Sequence, residues 1–239
     1  MREFRSRLFV VAVLLLGSLC IRLGFWQLSR RIERRVENER IEQLLSLSPA
    51  GLPRETISPE EWEYRRVGIY GKFDTDESVV LRNRAYRDQP GVHLVTPMIL
   101  EETGTAILVD RGWIPVTQFL PEEIAAYEAF GDFDVAGILR LSAPEPTFSL
   151  LADPTLEPGE DPLKEWRVLN VERIQEQIPY ALYPMYLQMT DSNPAPGSYP
   201  IPRPGVDLSD GPHLSYAIQW FSFSAIAFVG GILWWRRRR

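Results

Sequence analysis

The residue types that most often bind metals or carry out acid–base and nucleophilic chemistry are scarce in this sequence. It contains two histidines, His93 and His213, and a single cysteine, Cys20. Neither histidine has another histidine or a cysteine at the spacing of a metal site, and one cysteine allows no internal disulfide or paired-thiol site. The short motifs of phosphate-binding loops, dinucleotide-binding folds, zinc proteases and α/β-hydrolases are also missing. These enzymatic motifs are therefore not found in the sequence.

The two histidines differ in their surroundings. Tyr216 and Trp220 follow His213 at i+3 and i+7, so the three side chains share one face if this segment is helical. His93 instead lies in a run of β-forming residues, where we predict a half-exposed strand position. His213 is therefore the candidate for binding a ligand.

A second cluster of basic and aromatic residues lies near the N-terminus. Arg22, Trp26 and Arg30 are spaced i, i+4 and i+8, again on one helical face. Such residues are enriched at membrane interfaces for purely physical reasons, which is the simpler interpretation. The alternative is a haem site, which needs a histidine ligand, aromatic walls and arginines for the carboxylates. Arg22 favours the alternative, because a guanidinium in an apolar run is costly unless it snorkels or is paired.

Both clusters border strongly apolar stretches that predict membrane-spanning helices. Residues 8–21 carry no charge, and residues 8–28 together give about one bilayer crossing at ~1.5 Å per residue. Residues 214–235 carry no charge and are followed by four arginines. We predict transmembrane helices at residues 8–28 and 214–235. A cleaved signal peptide is the alternative for the first, but no small-x-small cleavage site follows it.

The placement of the arginines predicts the orientation in the membrane, because positive charge resists translocation. The tail at residues 236–239 has four arginines and residues 1–7 have three, so both termini are predicted to be cytoplasmic. Five arginines within residues 30–40 argue for the opposite orientation, and we give the tail more weight. The segment from residue 29 to 213 is then periplasmic. Without an amphipathic Arg/Ser-rich presequence, a bacterial inner membrane is favoured over an organelle.

The part between the two apolar stretches has the pattern of a β-rich domain. A charged helix is predicted to continue over residues 29–47, and two short helices over residues 121–129 and 171–177. Residues 193–212 are dense in proline and predict a semi-rigid, extended surface strap before the last helix, and residues 143–162 predict a second extended surface segment. Strand-like alternation or β-rich composition is found near residues 64–73, 78–84, 93–100, 105–109, 133–141 and 185–189.

The predicted fold class is an α+β membrane protein: two transmembrane helices, N- and C-terminal, flanking a mostly antiparallel β domain with short helices. The domain could be a small barrel or a sandwich. Residues 74–77 and 101–104 are predicted to form turns between strands. Residues 110–113 are predicted to end a strand, with an ion pair between Asp110 and Arg111.

The charge balance excludes one class of partner. The formal net charge is −6, and the arginine-rich ends make the middle of the chain more acidic than that figure. Nucleic acid requires a basic surface, so we predict no nucleic-acid partner. The lipid bilayer is the partner that the two apolar stretches indicate.

Several ordered blocks of sequence resemble one known family. The blocks are LGFWQLSR at 23–30, YRRV at 64–67, GKF at 71–73, LRNR at 81–84, Gly91 with Thr96-Pro97, VDRGWIP at 109–115 and HLSYAIQWF at 213–221. The resemblance is to the Surfeit locus protein family (Surf/Shy type), assembly factors for cytochrome c oxidase, and it spans nearly the whole chain. One departure is Asp110, where the family usually has asparagine; an acceptor-only carboxylate beside Arg111 changes the local hydrogen bonding.

This resemblance implies a non-catalytic role in maturing the catalytic subunit of a haem–copper oxidase, by handling haem A. It implies that His213 is an axial ligand of the haem iron, and haem A synthase is a further expected partner. From position alone, Arg22 or Arg30 would pair with the propionates. A haem-independent scaffold for a nascent oxidase subunit and a membrane-anchored periplasmic enzyme are the alternatives. The residues implied to line the site are Trp26, Gln27, Tyr216, Gln219 and Trp220.

Overall fold

The computed structural model describes residues 2–53, 58–119, 127, 131–144, 146, 152–155, 160–190, 198–203 and 205–237. The chain divides into two compact units, Met1–Gln43 with Asp207–Arg239, and Leu44–Val206. The first unit is helical and the second is β-rich. The predicted fold class is confirmed, since a long apolar helix at each end flanks a β domain with short helices.

The helices are α1 (Arg2–Ser46), α2 (Pro59–Trp62), α3 (Val171–Gln175) and α4 (His213–Arg236). Both α1 and α4 are long and apolar enough to cross a membrane. The predicted membrane helix and the charged helix after it are one continuous element, α1. It ends shortly before Pro49, whose ring and missing N–H cannot continue a helix. The predicted helix at 171–177 ends two residues earlier, at Gln175.

Helices α1 and α4 pair antiparallel through small residues. Gly17 packs against the ring of Phe228, and Gly24 packs against the ring of Phe221. Residue numbers therefore increase along α1 in the direction in which they decrease along α4, so the two helices are antiparallel. A Cβ atom on Gly17 would lie 2.4 Å from the Phe228 ring. The Ser224 hydroxyl donates a 3.0 Å hydrogen bond to the Gly17 carbonyl oxygen. Small residues allow the two backbones to approach closely, the usual way in which helices associate in lipid.

Five strands of the β domain close into a barrel. The sheet order is β1-β2-β6-β8-β5-β4-β3-β7, and β2 also pairs with β4, which closes the ring β2-β6-β8-β5-β4. All pairs in this ring are antiparallel except β5 with β8. The strands are β1 (Ala50–Gly51), β2 (Arg66–Phe73), β3 (Val79–Tyr86), β4 (Gln89–Leu100), β5 (Ala106–Pro115), β6 (Asp132–Leu141), β7 (Glu165–Trp166) and β8 (Leu182–Met189).

Alternating side chains on these strands fill the barrel. A second apolar cluster, which includes Trp166 and Ile174, packs α3 and β7 against β3 and β5. Of the two architectures that the alternation predicted, the structure has the barrel. The barrel interior consists of Val67, Ile69, Met98, Leu100, Ile107, Val109, Val135, Leu139, Met185 and Leu187.

The prediction that residues 110–113 end a strand is wrong. Strand β5 continues to Pro115 and contains a β-bulge, in which Asp110 pairs with Val95 and Gly112 with Leu94, leaving Arg111 as the extra residue. Gly112 has φ +126°, and a Cβ there would lie 2.1 Å from the Ile201 carbonyl oxygen. Only glycine fits both constraints.

The predicted ion pair between Asp110 and Arg111 is also wrong, as is the half-exposed position of His93. His93 is buried, and its Nδ1 lies 2.9 Å from both carboxylate oxygens of Asp110. Arg111 instead donates to the Tyr127 carbonyl oxygen at 2.8 Å. Burial lowers the pKa of Arg111 to about 10. The bulge explains both errors, because it turns neighbouring side chains in directions that simple alternation does not predict.

The proline-rich strap is attached to the barrel rather than lying free on its surface. Ile201 and Trp113 exchange backbone hydrogen bonds of 2.7 and 2.8 Å, and Pro202 is buried. The predicted turns at 74–77 and 101–104 are confirmed. The predicted helix at 121–129 lies outside the described residues apart from Tyr127, as do parts of residues 143–162 and 193–212. Met1, Arg238 and Arg239 also lie outside them.

Candidate functional site

His213 is the first residue of α4, and its imidazole is oriented by a residue of α1. Its Nδ1 atom lies 2.8 Å from Gln27 Oε1. An amide oxygen only accepts hydrogen bonds, so Nδ1 carries the proton and donates it. In the neutral imidazole, the other nitrogen, Nε2, then has the free lone pair. This is the tautomer that a histidine metal ligand requires, with its second nitrogen held by a hydrogen bond.

The chain leading into His213 is fixed along α1. Arg31 donates from Nε and Nη2 to Asp210 Oδ2 at 3.2 and 3.1 Å. Asn38 Nδ2 donates to the Leu208 carbonyl oxygen at 2.7 Å. Hydrogen bonds donated by Ser209 lower the pKa of the Asp207 carboxyl. These contacts hold the backbone just before α4 and therefore limit where His213 can lie.

The predicted site residues of α4 do not all point the same way. Ala217 and Ser224 are buried and face α1. At about 100° per residue, Tyr216 and Trp220 lie on the same flank of α4 as His213. Gln219 lies about 160° or more from the α1-facing side, and it is exposed. The structure therefore groups Tyr216 and Trp220 with His213 and does not bring Gln219 to them.

The basic and aromatic stripe of α1 winds away from α4. Because Gly17, Gly24 and Gln27 face α4, Arg30 lies on the flank that corresponds to the His213 flank of α4. Trp26 is turned about 135° from the α4-facing side and is 54% exposed. Arg22 lies on the side opposite α4 and is exposed. Of the two arginines, only Arg30 is on the histidine side, and it forms an ion pair with Glu33.

Sequence reasoning missed the residues that hold the site together. Arg31 and Asn38 on α1 were not singled out, and neither was Asp210. A signal was present, because Gly17, Gly24, Arg31 and Asn38 recur every seven residues, the repeat of a helix that keeps one face against a partner. A search for this repeat would have found the α4-facing side of α1.

Among the cavities lined by described residues, two of several hundred Å³ lie away from His213. One, of about 430 Å³, is lined by α1 and the C-terminal part of α4, including Val13, Phe228 and Arg236. The other, of about 520 Å³, lies beside β1, β2 and the β4–β5 turn. The Tyr183 hydroxyl on its wall has no partner among the described residues, and burial raises the pKa of Tyr183. Within the described part of the chain, no cluster of three or more His, Cys, Asp or Glu residues could hold a metal ion.

The fold and site define a class of protein: a β-barrel domain flanked in sequence by two helices that are long and apolar enough to cross a membrane, with an oriented histidine at the start of the second helix. The chain belongs to the SURF1 family, which it matches over residues 14–225. The family resemblance found in the sequence is thereby confirmed. Membership is consistent with the expected role in cytochrome oxidase assembly.

Individual relatives match along most of their length. The chain is 29% identical over 217 residues to a SURF1-like protein of Monosiga brevicollis, covering 87% of this chain and 80% of the relative. It is 24% identical over 240 residues to Surfeit locus protein 1 of Mus musculus, covering 94% and 74%. The human protein of the same name is 24% identical over 241 residues, covering 94% and 76%.

Proposed function

We propose that this protein is an assembly factor for cytochrome c oxidase that binds haem A through His213 and aids its insertion into the catalytic subunit. Family membership supports the assembly role. The hydrogen bond between His213 and Gln27 supports haem binding and is the single observation that carries it. In the neutral imidazole this bond directs the free lone pair to Nε2, at the start of a transmembrane helix, where an apolar ligand can enter from the lipid.

The residues around His213 fit a haem group. When bound, the group supplies an iron that a neutral imidazole nitrogen can coordinate. Gln27 holds the imidazole in the required tautomer and restricts its rotation. Tyr216 and Trp220 present aromatic surface on the same flank of α4. Arg30 is the arginine placed to attract carboxylates on that side, once it exchanges its exposed pairing with Glu33.

The proposal includes a membrane arrangement. Residues 8–28 and 214–235 span the bilayer, residues 1–7 and 236–239 are cytoplasmic, and the domain within residues 29–213 is periplasmic, in a bacterial inner membrane. The antiparallel pairing of α1 and α4 supports two crossings. Reporter fusions at the two termini and in the β4–β5 turn test this arrangement. A reporter in the turn that is active on the cytoplasmic side would contradict it.

Haem binding is tested with protein purified in detergent from cells that make haem A. We expect a haem absorption band that is lost in His213→Ala while the circular dichroism of the barrel is unchanged. Ser222→Ala is the matched control, because among the described residues its hydroxyl bonds only to the Ile218 carbonyl oxygen of the same helix. The control should keep the band. A band that survives in His213→Ala would overturn the ligand assignment.

The partners are tested in cells unable to make haem A. If the protein delivers haem, co-purification of the oxidase catalytic subunit should weaken when haem A is missing. Undiminished co-purification would favour the haem-independent scaffold instead. Haem A synthase, the proposed donor, should co-purify when haem A is being made. Loss of that association in His213→Ala would place the histidine at the point of transfer.

A further inference from the structure

Arg22 is a charged side chain that takes no part in the proposed His213 site. It lies in the apolar part of α1, on the side opposite α4, and its side chain is exposed. Among the described residues it has no hydrogen bond and no ion pair. Since Gln27 is level with the start of α4, Arg22 lies about 7.5 Å deeper along the helix axis.

The direction of the Arg22 side chain hinders snorkelling of its guanidinium group to the nearer membrane interface. In an α-helix every Cα–Cβ bond tilts towards the N-terminus. For Arg22 this direction leads further into the apolar stretch rather than towards Gln27 and the surface. Snorkelling outward must therefore work against the backbone geometry. An isolated cation so placed needs an anion at its own depth.

Arg22 is accompanied by other polar residues on the same side of α1. Ser18, within the apolar stretch, and Ser29, just beyond its end, lie within about 40° of it around the helix, and both are exposed. Neither serine hydroxyl has a partner among the described residues. The apolar stretch of α4, residues 214–235, contains no charged residue at all. We call Ser18, Arg22 and Ser29 the Arg22 face. Polar residues in membrane helices face protein rather than lipid, and small ones allow close approach.

We propose that the Arg22 face is a docking site for a transmembrane helix of a partner protein that carries an aspartate or glutamate at the depth of Arg22. Charge complementarity selects this occupant, because a carboxylate is the group that the unpaired guanidinium lacks. The two serines provide short hydrogen-bonding side chains on either side of it. Docking there leaves His213 free, since His213 lies on the other side of α1. The proposal does not depend on haem binding.

The test uses the full chain in phosphatidylcholine vesicles and a synthetic Leu/Ala transmembrane peptide with one central residue varied. Association is measured by energy transfer between fluorophores on the two. We expect the glutamate peptide to associate about tenfold more tightly than the glutamine peptide. Arg22→Leu should remove this preference and Arg22→Lys should keep part of it. Arg35→Leu, which removes an exposed arginine beyond the apolar stretch, is the matched control and should keep all of it.

Disulfide cross-linking locates the contact. In a Cys20→Ala background, Ser18→Cys should cross-link to a cysteine in the glutamate peptide, whereas Ile21→Cys, on a different side of α1, should not. Equal binding of the glutamate and glutamine peptides would overturn the proposal, as would cross-linking at both positions. Arg22-dependent association of two copies of this chain, or Arg22-dependent binding of anionic lipid with no peptide preference, would assign the face to those occupants instead.

Discussion

The helix pair of α1 and α4 and the barrel bury opposite kinds of side chain. Inside the barrel, large apolar residues such as Leu139 and Leu187 are completely buried. Between the helices, the buried residues are small, such as Ala217 and Ser224, whereas Ile226 is 69% exposed. Removal of apolar surface from water stabilises the barrel. Lipid tails are as apolar as leucine, so the helix pair depends on close packing and hydrogen bonds instead.

Each region nevertheless pairs some of the polar groups that it buries. His93 and Asp110 pair inside the barrel domain, and Ser224 bonds to Gly17 between the helices. The loss of stability caused by removing one hydrogen-bond partner should differ between the barrel and the helix pair, however. The barrel pair includes a carboxylate, whereas the helix contact joins two neutral groups. The predictions below test this difference, beginning with the barrel.

The largest effect is expected from His93→Leu. The change leaves the buried Asp110 carboxylate with only the Gly112 N–H as a hydrogen-bond donor in the described structure. Removing one partner of a buried pair costs about 3–5 kcal/mol. The loss should be seen in the denaturant unfolding of the full chain in detergent, with hydrogen exchange reporting on β4 and β5. Asp110→Asn should cost less, because an asparagine can still bond to both neighbours. Equal losses in the two variants would contradict this account.

Leu139→Ala should destabilise the barrel by about 2–5 kcal/mol, because the side chain is fully buried and leaves a cavity. Ile226→Ala is the counterpart on α4, where the side chain faces outward. We expect that change to alter stability by well under ~1 kcal/mol in detergent. The two variants are compared by the same unfolding measurement. A large loss in Ile226→Ala would mean that the outward face of α4 is covered by protein.

Alkaline pH should weaken the β domain. Burial, and then a 2.8 Å hydrogen bond to Asp74, raise the pKa of the Tyr180 hydroxyl far above its ordinary value. The unfolded chain releases this proton near pH ~10 while the folded chain keeps it, so stability is full below that pH and falls above it. Tyr180→Phe should cost about 1–2 kcal/mol at pH 8 and reduce the decline. Unfolding measured at pH 8 and pH 11 checks both statements. If stability declined as steeply with pH in Tyr180→Phe as in the unchanged protein, the decline would be assigned to Tyr183 and Tyr186 instead.

The smallest effect is expected from Ser224→Ala in the helix pair. It removes the bond to the Gly17 carbonyl oxygen, and such bonds are worth about 0.6 kcal/mol in membranes. Hydrogen exchange of the α1 amides in lipid nanodiscs measures the change. Ser222→Ala, which removes a bond within α4, serves as the control. If Ser224→Ala lost as much stability as His93→Leu, the proposed difference between the helix pair and the barrel would be contradicted.

Local patterns in the sequence were sufficient for much of the fold. The two apolar stretches, the strand alternation and the turns at 74–77 and 101–104 each depend on residues close together in the chain. Glycine at position 104, with φ +68°, is an example, because its conformation is set within the turn. The family resemblance likewise required only ordered short blocks. His213 was singled out from the residues that follow it within two helical turns.

Contacts between distant residues were decided only by the tertiary structure. The sequence could not show that Gln27 bonds to His213, that β2 meets β4 to close the barrel, or that a bulge turns Asp110 towards His93. It grouped Arg22 with the His213 site, whereas the pairing of α1 with α4 turns Arg22 to the opposite side. Periodicity defines the faces of each element, but the face that meets a partner depends on register and rotation. Those are fixed by packing across the whole fold.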